Sequence, residues 1–186
     1  MRILIADDEG IIRIGLREML EELGHTVIGA AVDGATVVRL ARELQPDLVI
    51  LDIKMPGLDG LDAAQAIAAE RPTPMIMLSA FSERPLLERA ASLCVHGYLV
   101  KPVDAGDLAP ALEVAAARFE QWQALQREAA DLRDAMETRA VVERAKALLM
   151  TREGMSERQA FSRLQSTARR ERRPMRAIAE EVLARG

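Results

Sequence analysis

Leu48-Val49-Ile50-Leu51-Asp52-Ile53-Lys54-Met55-Pro56-Gly57 is an aliphatic run that ends on a carboxylate and is broken four residues later by Pro-Gly. Four further short β-branched or aliphatic runs resemble it in length: Arg2 to Ala6, Thr26 to Ala31, Pro74 to Ser79 and Gly97 to Val100. Between them lie helical patterns, such as Ile12, Leu16, Met19, Leu20 and Leu23 closed by Gly24, and Val37, Val38, Ala41 and Leu44 closed before Pro46. Strands alternating with helices over about 105 residues predict an all-parallel sheet with right-handed crossovers and helices on both faces. Ligands of such sheets bind beyond the carboxyl ends of the strands, near a topological switch point.

That edge is where the chemistry gathers. The first strand ends at Asp7 and Asp8 and the third ends on Asp52. Neighbouring carboxylates raise one another's pKa unless a cation sits among them, and Mg²⁺ commonly takes one or two carboxylates with water and phosphate oxygens. Ser79 closes the fourth strand and Lys101 follows the fifth. A hydroxyl and an ammonium there would bind the remaining oxygens of a phosphoryl group, which turns a metal site into a phosphoryl acceptor.

Asp7-Asp8, the run Leu48 to Gly57, Ser79-Ala80 and Tyr98-Leu99-Val100-Lys101-Pro102, in this order and at βα-unit spacing, resemble the receiver domain of response regulators over residues 1 to 118. The resemblance implies that Asp52 accepts a phosphoryl group from a sensor histidine kinase. It also implies that Asp8, Asp52 and the Lys54 carbonyl hold Mg²⁺, with Asp7 assisting through water. Lys101, Ser79 and Tyr98 would act with Asp52, the last two as a switch that reshapes the face around the family's fourth helix, fifth strand and fifth helix. Lys54 and Phe81 would flank the path of the hydrolytic water and set the acyl-phosphate lifetime. Such a protein is not an enzyme on an outside substrate; it promotes its own phosphorylation and slow dephosphorylation. Serine stands at position 79 where threonine is commoner, and Cys94-Val95-His96 where small residues are usual.

Composition frames this reading. In 186 residues, hydrophobic residues make up 49% and aromatics only 3%, so aliphatic side chains must fill the core. No run approaches the roughly 20 apolar residues that span a bilayer, and the chain enters a strand at Arg2 without a leader pattern, so a cytoplasmic protein with no membrane contact is expected. Cys94 is the single cysteine. It is expected to be a buried small hydrophobe, and a reducing compartment fits. His25 and His96 have no ligand spacing and are taken as structural or surface residues. The net charge of −4 hides an asymmetry: residues 1 to 136 carry 13 Lys/Arg against 22 Asp/Glu, residues 137 to 186 carry 12 against 7. An acidic first part suits a cation site, and a basic tail suits an anionic partner.

Asp104 and Asp107 are candidate caps for the next helix, and Pro110, best tolerated in a first turn, favours a start near Asp107. No breaker follows until Gly154. Leu125, Ala129, Leu132 and Met136 keep a 4-3-4 spacing, the seam of a short coiled coil or an amphipathic face packed on its own domain. Ser156 and Gln159 form a capping box for a second helix in which Phe161, Leu164 and Ala168 share a face. Pro174 is placed at the first position of a third, with Ala177, Ile178 and Val182 facing inward. The small residues Ala140, Ala145, Ala147, Ala160 and Ala168 would let these helices approach closely.

Arg144-Ala145-Lys146-Ala147-Leu148-Leu149-Met150, then Ser156, Ala160-Phe161, Leu164, Ala168 and Ile178-Ala179, resemble the ANTAR domain of AmiR/NasR-type antitermination regulators over residues 125 to 184. The match departs at Ala147, where glycine is usual, and at Gln165, where a basic residue is common. The resemblance implies binding to structured hairpin RNA near a terminator, so that activation permits read-through. Arg139, Arg144, Lys146, Arg163, Arg169, Arg170, Arg172, Arg173 and Arg176 are the candidate RNA contacts, through phosphates and through guanidinium stacking on unpaired bases. Phe161 reads as core, and Phe119 and Trp122 lie upstream, so no aromatic platform is expected.

The fold expected is α/β: a five-stranded parallel doubly wound, flavodoxin-like receiver, then a long helix and a small three-helix all-α output domain. The domains expected are 1–118 receiver, 119–136 helical or coiled-coil linker, and 137–186 RNA-binding. The function expected is a phosphorylation-controlled antiterminator, with a homodimer on phosphorylation as a partner state. A DNA-binding regulator and a module that only dimerises are the alternatives; a helix-turn-helix would need a clear short turn that the stretch from Gln165 to Pro174 does not give. An aspartyl-phosphate hydrolase is disfavoured because its acidic pair is normally D-x-D, and here the two are adjacent.

Overall fold

The computed structural model describes residues 1–80 and 95–185, so Phe81 and Cys94 lie outside the described residues, as does the segment where the family's fourth helix would fall. The chain divides into two compact units, Met1–Gln123 and Ala124–Gly186. Among the described residues the elements are β1 (Arg2–Ala6), α1 (Gly10–Glu22), β2 (Thr26–Ala31), α2 (Gly34–Leu44), β3 (Leu48–Asp52), α3 (Gly60–Glu70), β4 (Met75–Ser79), β5 (Gly97–Val100), α4 (Ala105–Glu153), α5 (Glu157–Glu171) and α6 (Met175–Ala184). No helix of the described residues is long and apolar enough to cross a membrane.

In the first unit the five strands form one parallel sheet in the order β2-β1-β3-β4-β5. The order reverses between β1 and β3, which makes their carboxyl ends the switch point. The period of two along each strand divides the core. Leu4, Ala6, Val49, Leu51, Met75 and Met77 pack with Val37 and Ala41 of α2 and Ala63, Ala64 and Ile67 of α3. Ile3, Ile5, Leu48, Ile50, Ile76, Leu78 and Leu99 face the other way, onto Leu16 and Leu20 of α1 and Leu108, Leu112 and Ala115 of α4. Every residue of β3 and β4 is buried, as central strands covered on both faces must be. Each fully buried Leu or Ile contributes about 1.5–3 kcal/mol, so these strands anchor whatever sits at their ends.

Helix α4 starts two residues earlier than the proline suggests. The Asp104 carboxylate accepts from the Asp107 N–H at 2.9 Å, so Asp104 is the cap and Pro110 falls inside the helix. A satisfied amide at the helix start outweighs the misplaced proline. The helix then runs unbroken to Glu153.

In the second unit α5 carries the expected capping box, with Ser156 N–H donating to Gln159 Oε1 at 2.8 Å. Pro174 is the cap of α6 rather than its first residue, a shift of one position. Val142, Ala145, Leu149, Ala160, Leu164, Ile178 and Ala179 form the core, with Ala168 and Val182 partly buried against it. Phe161 is 38% exposed rather than core, because the inward line of α5 runs through Ala160 and Leu164 and leaves Phe161 on its flank. Ala140 and Ala147 are exposed, so close helix approach falls to Ala145 and Ala160.

Candidate functional site

Strand register brings the site together. Ala6 pairs with Leu51, Asp52 with Leu78, and Ser79 with Val100, so Asp7, Asp52, Ser79 and Lys101 end up side by side along the carboxyl edge. Asp7, Asp8 and Asp52 each offer a carboxylate oxygen within 4.8 Å of the others. Asp7 and Asp52 are buried and Asp8 is exposed, so the cluster has a wet side from which a ligand can enter. Lys101 Nζ lies 2.8 Å from Asp7 Oδ2, 3.2 Å from Asp52 Oδ1 and 3.6 Å from Glu9 Oε1. The Lys101-Pro102 peptide is cis.

The electrostatics follow from burial. Desolvation pushes the Asp52 carboxyl up to about 6; Lys101 pulls the other way, and Asp7 and Asp8 add to the rise. Burial opposes the charge on Lys101, but the carboxylates of Asp7 and Asp52 outweigh it and hold the ammonium above its ordinary value. Asp7 Oδ2 is buried, and the Lys101 ammonium 2.8 Å away is the partner that the described residues give it. Three carboxylate oxygens within 4.8 Å of one another, two of them on buried residues and balanced by one ammonium, are the hard oxygen donor set a divalent cation takes, so the residues fit Mg²⁺.

Ser79 is fully buried, and its hydroxyl donates to the Ala80 carbonyl at 2.9 Å. Tyr98 on β5 is partly buried against the α2–α3 side of the core. Lys54 is exposed, two residues past Asp52.

Three supporting residues lie outside the sequence expectations. Glu9 neighbours Lys101 as above, and the acidic run Asp7-Asp8-Glu9 was its available signal. Arg13 Nη1 donates to the carbonyls of Asp7 at 2.7 Å and Asp8 at 3.1 Å, fixing the acidic turn from α1. Only spacing by one helical turn from Glu9 hinted at it. At Gly60 a Cβ would meet the Asp52 carbonyl oxygen at 1.9 Å, and its N–H donates to Ile53 at 2.9 Å, so a glycine lets α3 start against the acceptor loop.

The nine basic candidates of the second unit are not equivalent. Lys146 is buried; its ammonium binds Glu143 at 2.9 Å and Glu157 at 2.7 Å, and those carboxylates raise its pKa, so it ties α4 to α5 instead of facing a phosphate. Arg163 pairs with Glu153, Arg170 with Glu171, Arg173 with Glu171 and Glu181, and Arg176 with Asp134, Glu137 and Glu180. Arg139, Arg144, Arg169 and Arg172 are exposed.

Residues 3–113 match the family model of the response regulator receiver domain, and residues 130–183 match that of the ANTAR domain. The chain is 50% identical over 182 residues to the transcriptional regulatory protein PdtaR of Mycobacterium tuberculosis, covering 98% of this chain and 89% of that one. Among solved structures it resembles the receiver domain of the putative response regulator NarL from the same organism, at 31% identity and TM-score 0.59 over 62% of this chain and 95% of that one. It also resembles a chain of the CheX-CheY-BeF3-Mg complex of Borrelia burgdorferi, at 26% identity and TM-score 0.58 over 60% of this chain and 86% of that one.

Proposed function

The chain belongs to the response regulators, joining a receiver domain to an ANTAR domain, and on that premise we propose that it is a phosphorylation-dependent, RNA-binding antiterminator of a two-component system. Receiver domains are phosphorylated by histidine kinases and ANTAR domains bind RNA. The domain limits are assigned as 1–118, 119–136 and 137–186, and the place of action as the cytoplasm.

The observation that carries the phosphoryl reading is the Asp52 carboxylate, buried at the switch point with the Lys101 ammonium 3.2 Å away and the Ser79 hydroxyl at the neighbouring strand end. A carboxylate oxygen of Asp52 attacks the phosphorus of a kinase phosphohistidine; a P–O bond forms as the P–N bond breaks, and the imidazole leaves. Asp8, Asp52 and the Lys54 carbonyl would hold Mg²⁺, with Asp7 assisting; when bound, the ion neutralises charge on the phosphoryl oxygens. The CheX-CheY-BeF3-Mg complex, one chain of which this protein resembles, supports that choice of metal. Lys101 binds a phosphoryl oxygen, and the Ser79 hydroxyl gives up its backbone partner to donate to another, while Tyr98 turns with it.

The RNA reading rests on the ANTAR match and the exposed arginines, and antitermination on that family alone. Leu125, Leu132 and Met136 are 65%, 60% and 73% exposed, which suits a seam awaiting a second copy upon phosphorylation. Incubation of the protein with acetyl phosphate and Mg²⁺ followed by intact mass measurement tests the acceptor: one added phosphoryl group is expected, absent in Asp52→Asn. Modification of Asp52→Asn, or none of the wild type, overturns it.

A further inference from the structure

The last residues of α5 and the turn into α6 read Arg169-Arg170-Glu171-Arg172-Arg173-Pro174. The backbone closes α5 through Arg172 N–H donating to the Arg169 carbonyl at 3.3 Å and Arg173 N–H to the Ala168 carbonyl at 3.0 Å, with Arg172 left-handed at φ 52, ψ 41. An L side chain in that region crowds the following carbonyl oxygen, so glycine is the usual occupant. This chain follows the custom after α1 and α4, where Gly24 and Gly154 have φ 80 and 67. Arg172 and Gln45 are the two non-glycine exceptions among the described residues.

The surrounding charges leave Arg172 over. Glu171 is taken by Arg170 at 3.4 Å and Arg173 at 3.1 Å, and Glu181 by Arg173 at 2.8 Å and by Arg185. Arg176 is held by Asp134 at 2.8 Å, Glu137 at 3.2 Å and Glu180 at 2.9 Å. Arg172 and Arg169 are exposed and make no ion pair among the described residues. Arg172 thus combines a strained backbone with an exposed guanidinium free of ion pairs, beside Arg170, Arg173 and Arg176, which carboxylates hold. A purely structural role would be to offset the negative end of the α5 dipole, which Arg169 and Arg170 in the last turn already do.

We propose that Arg172, with Arg169 beside it, is a direct contact of the output unit to the phosphates and unpaired loop bases of stem-loop RNA. This rests on the RNA reading above and narrows it. The planar guanidinium can bind a phosphate with two N–H groups or lie on an exposed base, and at this turn it is exposed to solvent.

The two roles part at Arg172→Gly, which relieves the backbone while removing the side chain. Full-length protein, with and without acetyl phosphate and Mg²⁺, is titrated with a synthetic RNA of tandem stem-loops over a salt series, and Tm is measured in parallel. For Arg172→Gly the expected result is an unchanged or higher Tm, RNA affinity lower by about five- to tenfold, and a salt slope shallower by about 0.7–0.9. Arg172→Lys should restore the slope and only part of the affinity. Wild-type affinity in Arg172→Gly overturns the inference and leaves the RNA reading standing, as does a loss of affinity that only follows a lower Tm. Wild-type protein that binds no RNA, or prefers duplex DNA, overturns both.

Discussion

Lys101 Nζ lies 3.2 Å from Asp52 Oδ1, placing the cation that follows β5 against the carboxylate that ends β3, two strands away in the sheet. The same ammonium reaches Asp7, so one side chain links the ends of three strands. Lys101→Met removes the opposing charge and leaves burial and Asp7 to act on Asp52 alone. Phosphorylation by acetyl phosphate is expected to slow on the order of tenfold or more, measured by intact mass against time. An unchanged rate would remove Lys101 from the proposed chemistry.

In the metal-free protein the folded state holds a proton on Asp52 between the ordinary carboxyl value and about 6, where the unfolded state has released it. Stability from this group is therefore present at low pH and lost as pH rises through that window. Asp52→Asn should stabilise the metal-free protein at neutral pH by about 3 kcal/mol at most, and by nothing below pH 4, read from urea midpoints. A destabilised Asp52→Asn at neutral pH would contradict it.

Proton and metal compete for the same oxygens. The rise in Tm given by Mg²⁺ is expected to be full above pH 7 and to shrink as pH falls through about 6, because Asp52 then binds a proton first. A Mg²⁺ shift that persists unchanged at pH 5 would place the ion elsewhere.

Gly60→Ala drives a methyl group into the Asp52 carbonyl oxygen, a clash with backbone that no side-chain rotation relieves. The β3–α3 loop must move, at a cost of about 2–4 kcal/mol, and the acceptor rate should fall with it. At Gly57, where a Cβ meets open space at φ 77, alanine should cost only about 1–2 kcal/mol. Equal effects at the two positions would show that the close approach is not what matters.

Lys146→Met removes a cation that two carboxylates hold inside the second unit. It is expected to lower the Tm of that unit while leaving the salt slope of RNA binding unchanged. A shallower slope would return Lys146 to the RNA face.

The sheet and its edge could be read from residue patterns because both depend on short-range regularities: aliphatic runs four to six residues long in βα order, four of them ended or followed by a chemically distinct residue, Asp7, Asp52, Ser79 or Lys101. Asp52 and Lys101 are recognisable for that reason. Arg13 was not, since its role is to grip two backbone carbonyls, and a carbonyl carries no letter in the sequence. The charges of the second unit were legible only as a number. Which arginines are neutralised depends on carboxylates as distant as Asp134 from Arg176, and the burial of Lys146 depends on where α5 packs. Phe161 was misread because a helix face is fixed by the line through Ala160 and Leu164, not by hydrophobicity at one position.

Phosphorylation of Asp52 at the acidic edge is expected to alter RNA binding by the basic tail, residues 137–186. The direct measurement is the dissociation constant for tandem stem-loop RNA, before and after acetyl phosphate with Mg²⁺, in wild type and Asp52→Asn. A shift of about tenfold or more in wild type alone is expected. The same constant before and after treatment, or an equal shift in Asp52→Asn, would contradict it.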